Sequence, residues 1–209
     1  MLKYKFLIST FSLLFIGSLD AQELEQQEKS IYIKGNALFA PIGILNVGVE
    51  KQLSKKYTLQ GDVFISPWKS FGGHELQYYS LSVEGRYYFK EAFDRWYIGA
   101  NLATSHFVLQ KWNYWNDRLF VNENTGEEFV NSNLYQKGYS FIFGVTLGYQ
   151  FNLSENWKLD LYGTIGTSQD LYKGYDRTTE KRYDVAEGWN KSGEILPYRG
   201  GVMISYKIK

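Results

Sequence analysis

Two sets of residues in this 209-residue chain could do chemistry: charges set into apolar strands, and two histidines. The charges are Lys34, Glu50, Asp62, Glu84, Arg86, Lys158, Asp160 and Lys207, each on the polar side of an alternating segment. The clearest case is "YYSLSVEGRYYF" (78–89), where Glu84 and Arg86 point the same way between flanking aromatics. Acids and bases converging on one interior could carry protons or ions, or could simply neutralise one another. Four acids against four bases favour the second outcome, because buried charges must pair and hydrogen-bond.

The histidines are less promising. His74 lies in "GGHEL", and His106 follows "ATS" with Thr104 on its face, while Ser105 points away and no acid is near. That spacing does not build a nucleophile, base and orienting acid. Two histidines far apart in sequence also make a poor metal site. With no Cys there is no disulfide, thiol catalysis or thiolate metal centre. The net charge of +1 carries no polyanion-binding bias, so no nucleic acid is expected. No catalytic residue, cofactor or metal is expected.

Strands must position these charges. No segment after the N-terminus is an apolar run long enough for a membrane helix. Alternation of period two recurs instead near 31–39, 44–53, 57–66, 78–89, 95–107, 139–151, 157–168 and 198–208. These eight segments suit a tilted membrane-spanning strand of ~9–11 residues. Short connections, "SKK" (54–56), "KEAFD" (90–94) and "NLSEN" (152–156), alternate with long ones at 67–77, 108–138 and 169–197. "APIG" (40–43) is the one short member of the long set. Long connections gathered at one end are expected of an outer-membrane barrel with short periplasmic turns and long extracellular loops.

The faces agree with this. Tyr139, Phe141, Phe143, Val145, Leu147, Tyr149 and Phe151 share one side of their strand, opposite Ser140, Gly144, Thr146, Gly148 and Gln150. Tyr79 and Phe89 close opposite ends of theirs, ~25 Å apart along the membrane normal for a strand tilted ~40°. Trp96, Trp157, Tyr57 and Tyr206 form the turn-side girdle. A soluble lipocalin-like barrel reverses the sense, apolar side in. The double girdle and the loop asymmetry favour the apolar side facing lipid.

The N-terminus reads as a secretory signal over residues 1–21: Lys3 and Lys5, an apolar Phe6–Leu19, then Ala21 for cleavage. Residues 22–30, "QELEQQEKS", form a flexible polar lead-in, and 31–209 are the barrel domain. Without Lys3, Lys5 and Asp20 the remainder is formally neutral.

The segments "NALFAP", "NVGVEKQLSKKYTLQGDV", "VEGRYYF", "WYIGANL" and "GVTLGYQFNLSENWKLDLYGTIG" give the chain a family likeness. Most of residues 31–208 resembles a family of uncharacterised outer-membrane β-barrel proteins, a domain of unknown function common in Bacteroidota. The resemblance implies a small OmpA/OmpX-like eight-stranded barrel and supplies no activity or catalytic residue. Lys209 follows Ile208 where small barrels end in an aromatic.

The expectation is therefore an all-β, eight-stranded, antiparallel up-and-down transmembrane barrel, its lumen closed by the charges. Its role would be structural or one of surface interaction, with outer-membrane lipids and lipopolysaccharide as partners. An extracellular ligand or protein would meet residues 108–138 and 169–197, and Trp112, Trp115, Tyr175 and Trp189 are the candidate contacts there. The competing readings are a narrow outer-membrane channel and a lipid A-modifying enzyme.

Overall fold

Among the described residues, eight of ten strands close on themselves. The computed structural model describes residues 29–122, 125–184 and 186–209. The secretory signal and most of the lead-in lie outside those residues. The strands are β1 (Ile31–Asn36), β2 (Leu45–Gln52), β3 (Tyr57–Phe71), β4 (His74–Tyr88), β5 (Arg95–Leu109), β6 (Leu119–Val121), β7 (Glu128–Val130), β8 (Leu134–Asn152), β9 (Trp157–Asp176) and β10 (Asn190–Lys207). Each barrel strand pairs antiparallel with its neighbours in the chain order of the ring, and β10 returns to β1 through Lys34 opposite Ser205. β6 and β7 form a separate hairpin between β5 and β8.

Period-two patterning sets the sidedness. Along β8, Ser140, Ile142, Thr146 and Gln150 are buried, while Phe141, Phe143, Val145 and Leu147 between them are exposed. Two turns at one end share a geometry: the amides of Leu53 and Ser54 donate to the Tyr57 carbonyl, and those of Leu153 and Ser154 to Trp157. The third turn is different. Phe93 and Arg95 take left-handed φ values of 66° and 61°. That conformation costs ~1–3 kcal/mol for a non-glycine residue, and packing holds it. Phe93 is buried, its ring 4.5 Å from Tyr32 and 6.0 Å from Tyr88. It stoppers the turn-side end of the barrel, together with buried Tyr97 and Met203.

The outer end departs from expectation. Residues 67–77 are not a loop, because β3 and β4 run on to Phe71 and His74 and meet at Gly72-Gly73. Both glycines have positive φ (58° and 89°), as a tight two-residue hairpin turn requires. Likewise β9 and β10 pair up to Tyr172–Asn190, so the connection is only 177–189 rather than 169–197. The connection expected at 108–138 shrinks to 110–133 and contains the β6–β7 hairpin. In these extensions polar residues fill both faces ("TSQDLYKGYD"), so hydropathy alternation fades while backbone pairing continues.

The wall is uneven. β1 and β2 have 6 and 8 residues, whereas β8, β9 and β10 have 19, 20 and 18. At ~3.3 Å per residue that is ~20–26 Å against ~60–66 Å. Above β1 and β2 the wall has a notch, with the outer stretch of β10 on one side and of β3 on the other. The 3-10 turn Ala40–Ile42 floors it, tied to β3 by the Trp68 indole donating to the Ile42 carbonyl at 2.9 Å.

Candidate functional site

Inside the turn-side half of the barrel, six strands deliver charges to one layer. Lys34 (β1) donates to Glu50 (β2) and Asp160 (β9), each at 2.6 Å, and to the Gln60 amide oxygen at 3.1 Å. Arg86 (β4) donates through Nη1 to the same two carboxylates at 3.0 and 2.8 Å, and through Nε to Glu84 at 2.6 Å. All these side chains are fully buried. Neutral donors use the remaining oxygens: Thr58 and Tyr88 bond Glu50 at 2.5 and 2.8 Å, Tyr97 bonds Asp160 at 2.9 Å, and Thr146 bonds Glu84 at 2.7 Å. The Arg86 guanidinium also lies 4.4 Å over the Tyr97 ring. Such a layer is held by mutual pairing, and removal of one partner strands a buried charge at a cost of ~3–5 kcal/mol.

Six of the eight residues singled out in the sequence come together here: Lys34, Glu50, Asp62, Glu84, Arg86 and Asp160. Lys158 and Lys207 do not. Lys158 stands at the turn-side rim, donating to Asn152 Oδ1 at 2.5 Å and to the Phe93 carbonyl at 3.0 Å. Lys207 is partly exposed one strand pair lower, opposite Tyr32. Both are on inward positions, but too near the mouth to reach the layer.

The third cation of the layer was not singled out in the sequence, although it shares the inward parity of Lys207 on the same strand. Arg199 (β10) donates to Glu84 at 2.7 Å and pairs with Asp62. Next to it Tyr198 crosses the lumen to donate to Asn101 at 2.8 Å. Two successive residues point inward because a β-bulge shifts the register between Pro197 and Arg199. Tyr198 passes over Gly144, where a Cβ would stand 2.7 Å from its ring, so glycine is required there. Pro197 inside a strand was the available signal, since proline in a sheet marks an edge or a bulge. The layer thus holds four carboxylates and three cations among the described residues, not a matched four and four.

The outer connections pack into a cap. Phe129, Leu134 and Tyr183 form a buried cluster with Tyr114 and Phe120 against it. The Tyr183 hydroxyl meets Tyr114 at 3.0 Å and accepts from Gln136 at 3.2 Å, and burial raises its pKa well above the usual phenol range. Of the candidate loop contacts, Trp112 is 82% exposed and Trp189 is also exposed, 4.8 Å beneath the Lys173 ammonium. Trp115 stacks on His74 at 4.0 Å, which itself bonds Gln110 at 2.8 Å. Tyr175 is not in a loop: it belongs to β9, paired with and stacked on Tyr135 of β8. His106 lies on the outer face between Tyr79 and Tyr139, and Ser105 is buried on the inner face. The described residues hold no group of three His, Asp or Glu arranged to take a metal.

No curated protein and no solved structure matches the chain. One family does: the family described as "Protein of unknown function (DUF3575)" matches residues 9–208, and the chain belongs to it.

Proposed function

We propose that this chain is a small outer-membrane β-barrel with a closed lumen, acting as a structural or surface-interaction protein through its outer cap. The observation that carries the reading is the inversion of polarity. Ile33, Val49, Leu81, Leu102, Phe143, Val145 and Ile165 are exposed on the outside of the sheet, while Lys34, Glu50, Glu84, Arg86 and Asp160 are buried inside. In water that arrangement wastes ~25 cal/mol per Å² of apolar surface, whereas hydrocarbon accepts it. A closed ring also leaves no strand edge inside the apolar belt, which a spanning sheet needs.

Aromatic pairs support the placement of one interface. Tyr57–Tyr87, Trp96–Tyr149 and Trp157–Tyr206 have ring centroids 5.2, 5.1 and 4.8 Å apart, all at the turn-side end. Short turns at that end support a periplasmic side there, with the cap at the cell surface. The partners are then outer-membrane lipids and lipopolysaccharide, with an extracellular ligand or protein meeting the exposed Trp112 and Trp189. The full charge layer favours a shut bore over a channel.

The test is fractionation of cell membranes, followed by electrophoresis of unboiled and boiled samples. The expected result is an outer-membrane protein whose folded band shifts on heating. A periplasmic protein with no heat shift overturns the reading. Steady large conductance from the purified protein in planar bilayers overturns the closed lumen.

A further inference from the structure

We propose that the outer half of the barrel holds a binding site for a small amphiphile with an apolar body and one uncharged hydrogen-bond acceptor. Directly above the charge layer is a cavity of about 640 Å³, within the range of small-molecule sites. Its walls are mostly apolar, led by Phe39, Ile44, Phe64 and Leu109 with Tyr78 and Ser80 among them, drawn from the β1–β2 connection, β3, β4 and β5. It lies behind the notch, so the low wall is its mouth. Asp62, Tyr162 and Arg199 form its base.

The base decides the ligand's polar end. Arg199 is committed to Asp62 and Glu84. The Asn46 amide donates to Val63 and Asp62 and accepts from Asn36. The Tyr198 hydroxyl is given to Asn101. Tyr162 is the exception: it is 8% exposed, and its hydroxyl has no hydrogen-bond partner. A buried donor left unmade carries its full desolvation cost, and an acceptor delivered by a ligand removes that cost. An anion is disfavoured by the surplus carboxylate of the layer. A cation finds Asp62 already taken. A ketone, ester or amide carbonyl on an apolar body satisfies both the walls and the base.

The cavity depends on the closed sheet and not on where the protein resides, so the test stands apart from fractionation. The barrel, folded in amphipol, is titrated with 6-propionyl-2-dimethylaminonaphthalene, a naphthyl ketone whose emission responds to polarity and to hydrogen bonding at its carbonyl. The expected result is saturable one-to-one binding above amphipol alone. Ala103→Trp and, independently, Leu109→Trp fill the cavity from β5 and should weaken binding at least ~30-fold, with folding checked by the heat shift. Tyr162→Phe keeps the walls and removes only the donor. It should weaken binding about 5-fold, the scale of one neutral hydrogen bond, and shift the bound probe's emission to the blue. Absence of a saturable component overturns the site, as does unchanged binding in folded Trp variants. A Tyr162→Phe protein that matches the parent in affinity and emission overturns the assigned acceptor. A barrel that fractionates with the outer membrane yet fails these titrations loses the site and keeps the function proposed above.

Discussion

The two halves of the lumen solve the same problem in opposite ways. In the turn-side half, Lys34, Arg86, Glu50 and Asp160 saturate one another, with Tyr88 and Tyr97 filling the last acceptor positions. In the outer half, the walls are mostly apolar, a cavity remains open, and Tyr162 keeps its hydroxyl unused. A polar interior whose charges are all paired becomes rigid and shut. One that leaves space and an unpaired donor beside it keeps the capacity to bind. The bulge at Pro197–Arg199 marks the boundary: Arg199 joins the layer below it, and the extra inward residue, Tyr198, crosses the lumen above.

The contrast predicts very different sensitivities to substitution. Arg86→Met leaves Glu50, Glu84 and Asp160 short of their shared cation, and should cost ~3–5 kcal/mol. The urea midpoint of the heat shift measures it, and a loss below ~1 kcal/mol would mean the layer does not act as a unit. Next come two identical deletions of one oxygen. Tyr88→Phe removes a bond to the Glu50 carboxylate and should cost ~1.5–3 kcal/mol. Tyr162→Phe removes a buried hydroxyl that bonds nothing, and should leave stability unchanged or raise it by up to ~1–3 kcal/mol. Equal losses in the pair would erase the distinction between the halves.

Tyr183→Phe tests the cap alone. It removes the bond accepted from Gln136 and alters the contact with Tyr114, ~1 kcal/mol locally. The effect should appear as faster protease cleavage within 110–133 while the heat shift stays put. The smallest effect is at the β4–β5 turn. Desolvation raises the pKa of the Asp94 carboxyl, but the hydrogen bond from Lys90 and the charges of Lys90 and Arg95 outweigh it, so the pKa stays below its usual value. A lowered folded-state pKa stabilises above the unfolded value of ~3.9 and is lost as pH falls through the folded one. The loss should be no more than ~0.5 kcal/mol for a surface pair, and Asp94→Asn should abolish that part of the acid dependence.

The barrel strands and most of the charge layer were legible because period-two alternation reports which face each residue takes. Lys34, Glu50, Asp62, Glu84, Arg86 and Asp160 all follow that parity. It failed where parity itself breaks: the bulge turns Tyr198 inward beside Arg199, which keeps the parity of Lys207, and only Pro197 hinted at it. It also failed where both faces are polar, so the outer parts of β9 and β10 read as loop although they pair residue by residue. Phe93 was hidden for another reason. Its left-handed backbone is held by packing against Tyr88, at the end of the preceding strand, and against Tyr32, from a strand distant in sequence.

The uneven wall has a consequence for self-association. Beyond Met203, β10 is bonded to β9 on one side and, up to Asn190, has no strand partner on the other among the described residues. A dozen residues of open backbone are a template for a foreign strand. This edge is interrupted at its middle by a proline, which offers no amide to pair, and by a bulge that kinks the ladder. The same bulge that sends Tyr198 across the lumen therefore also blunts the longer of the notch's two open rims, where a second chain would otherwise add on.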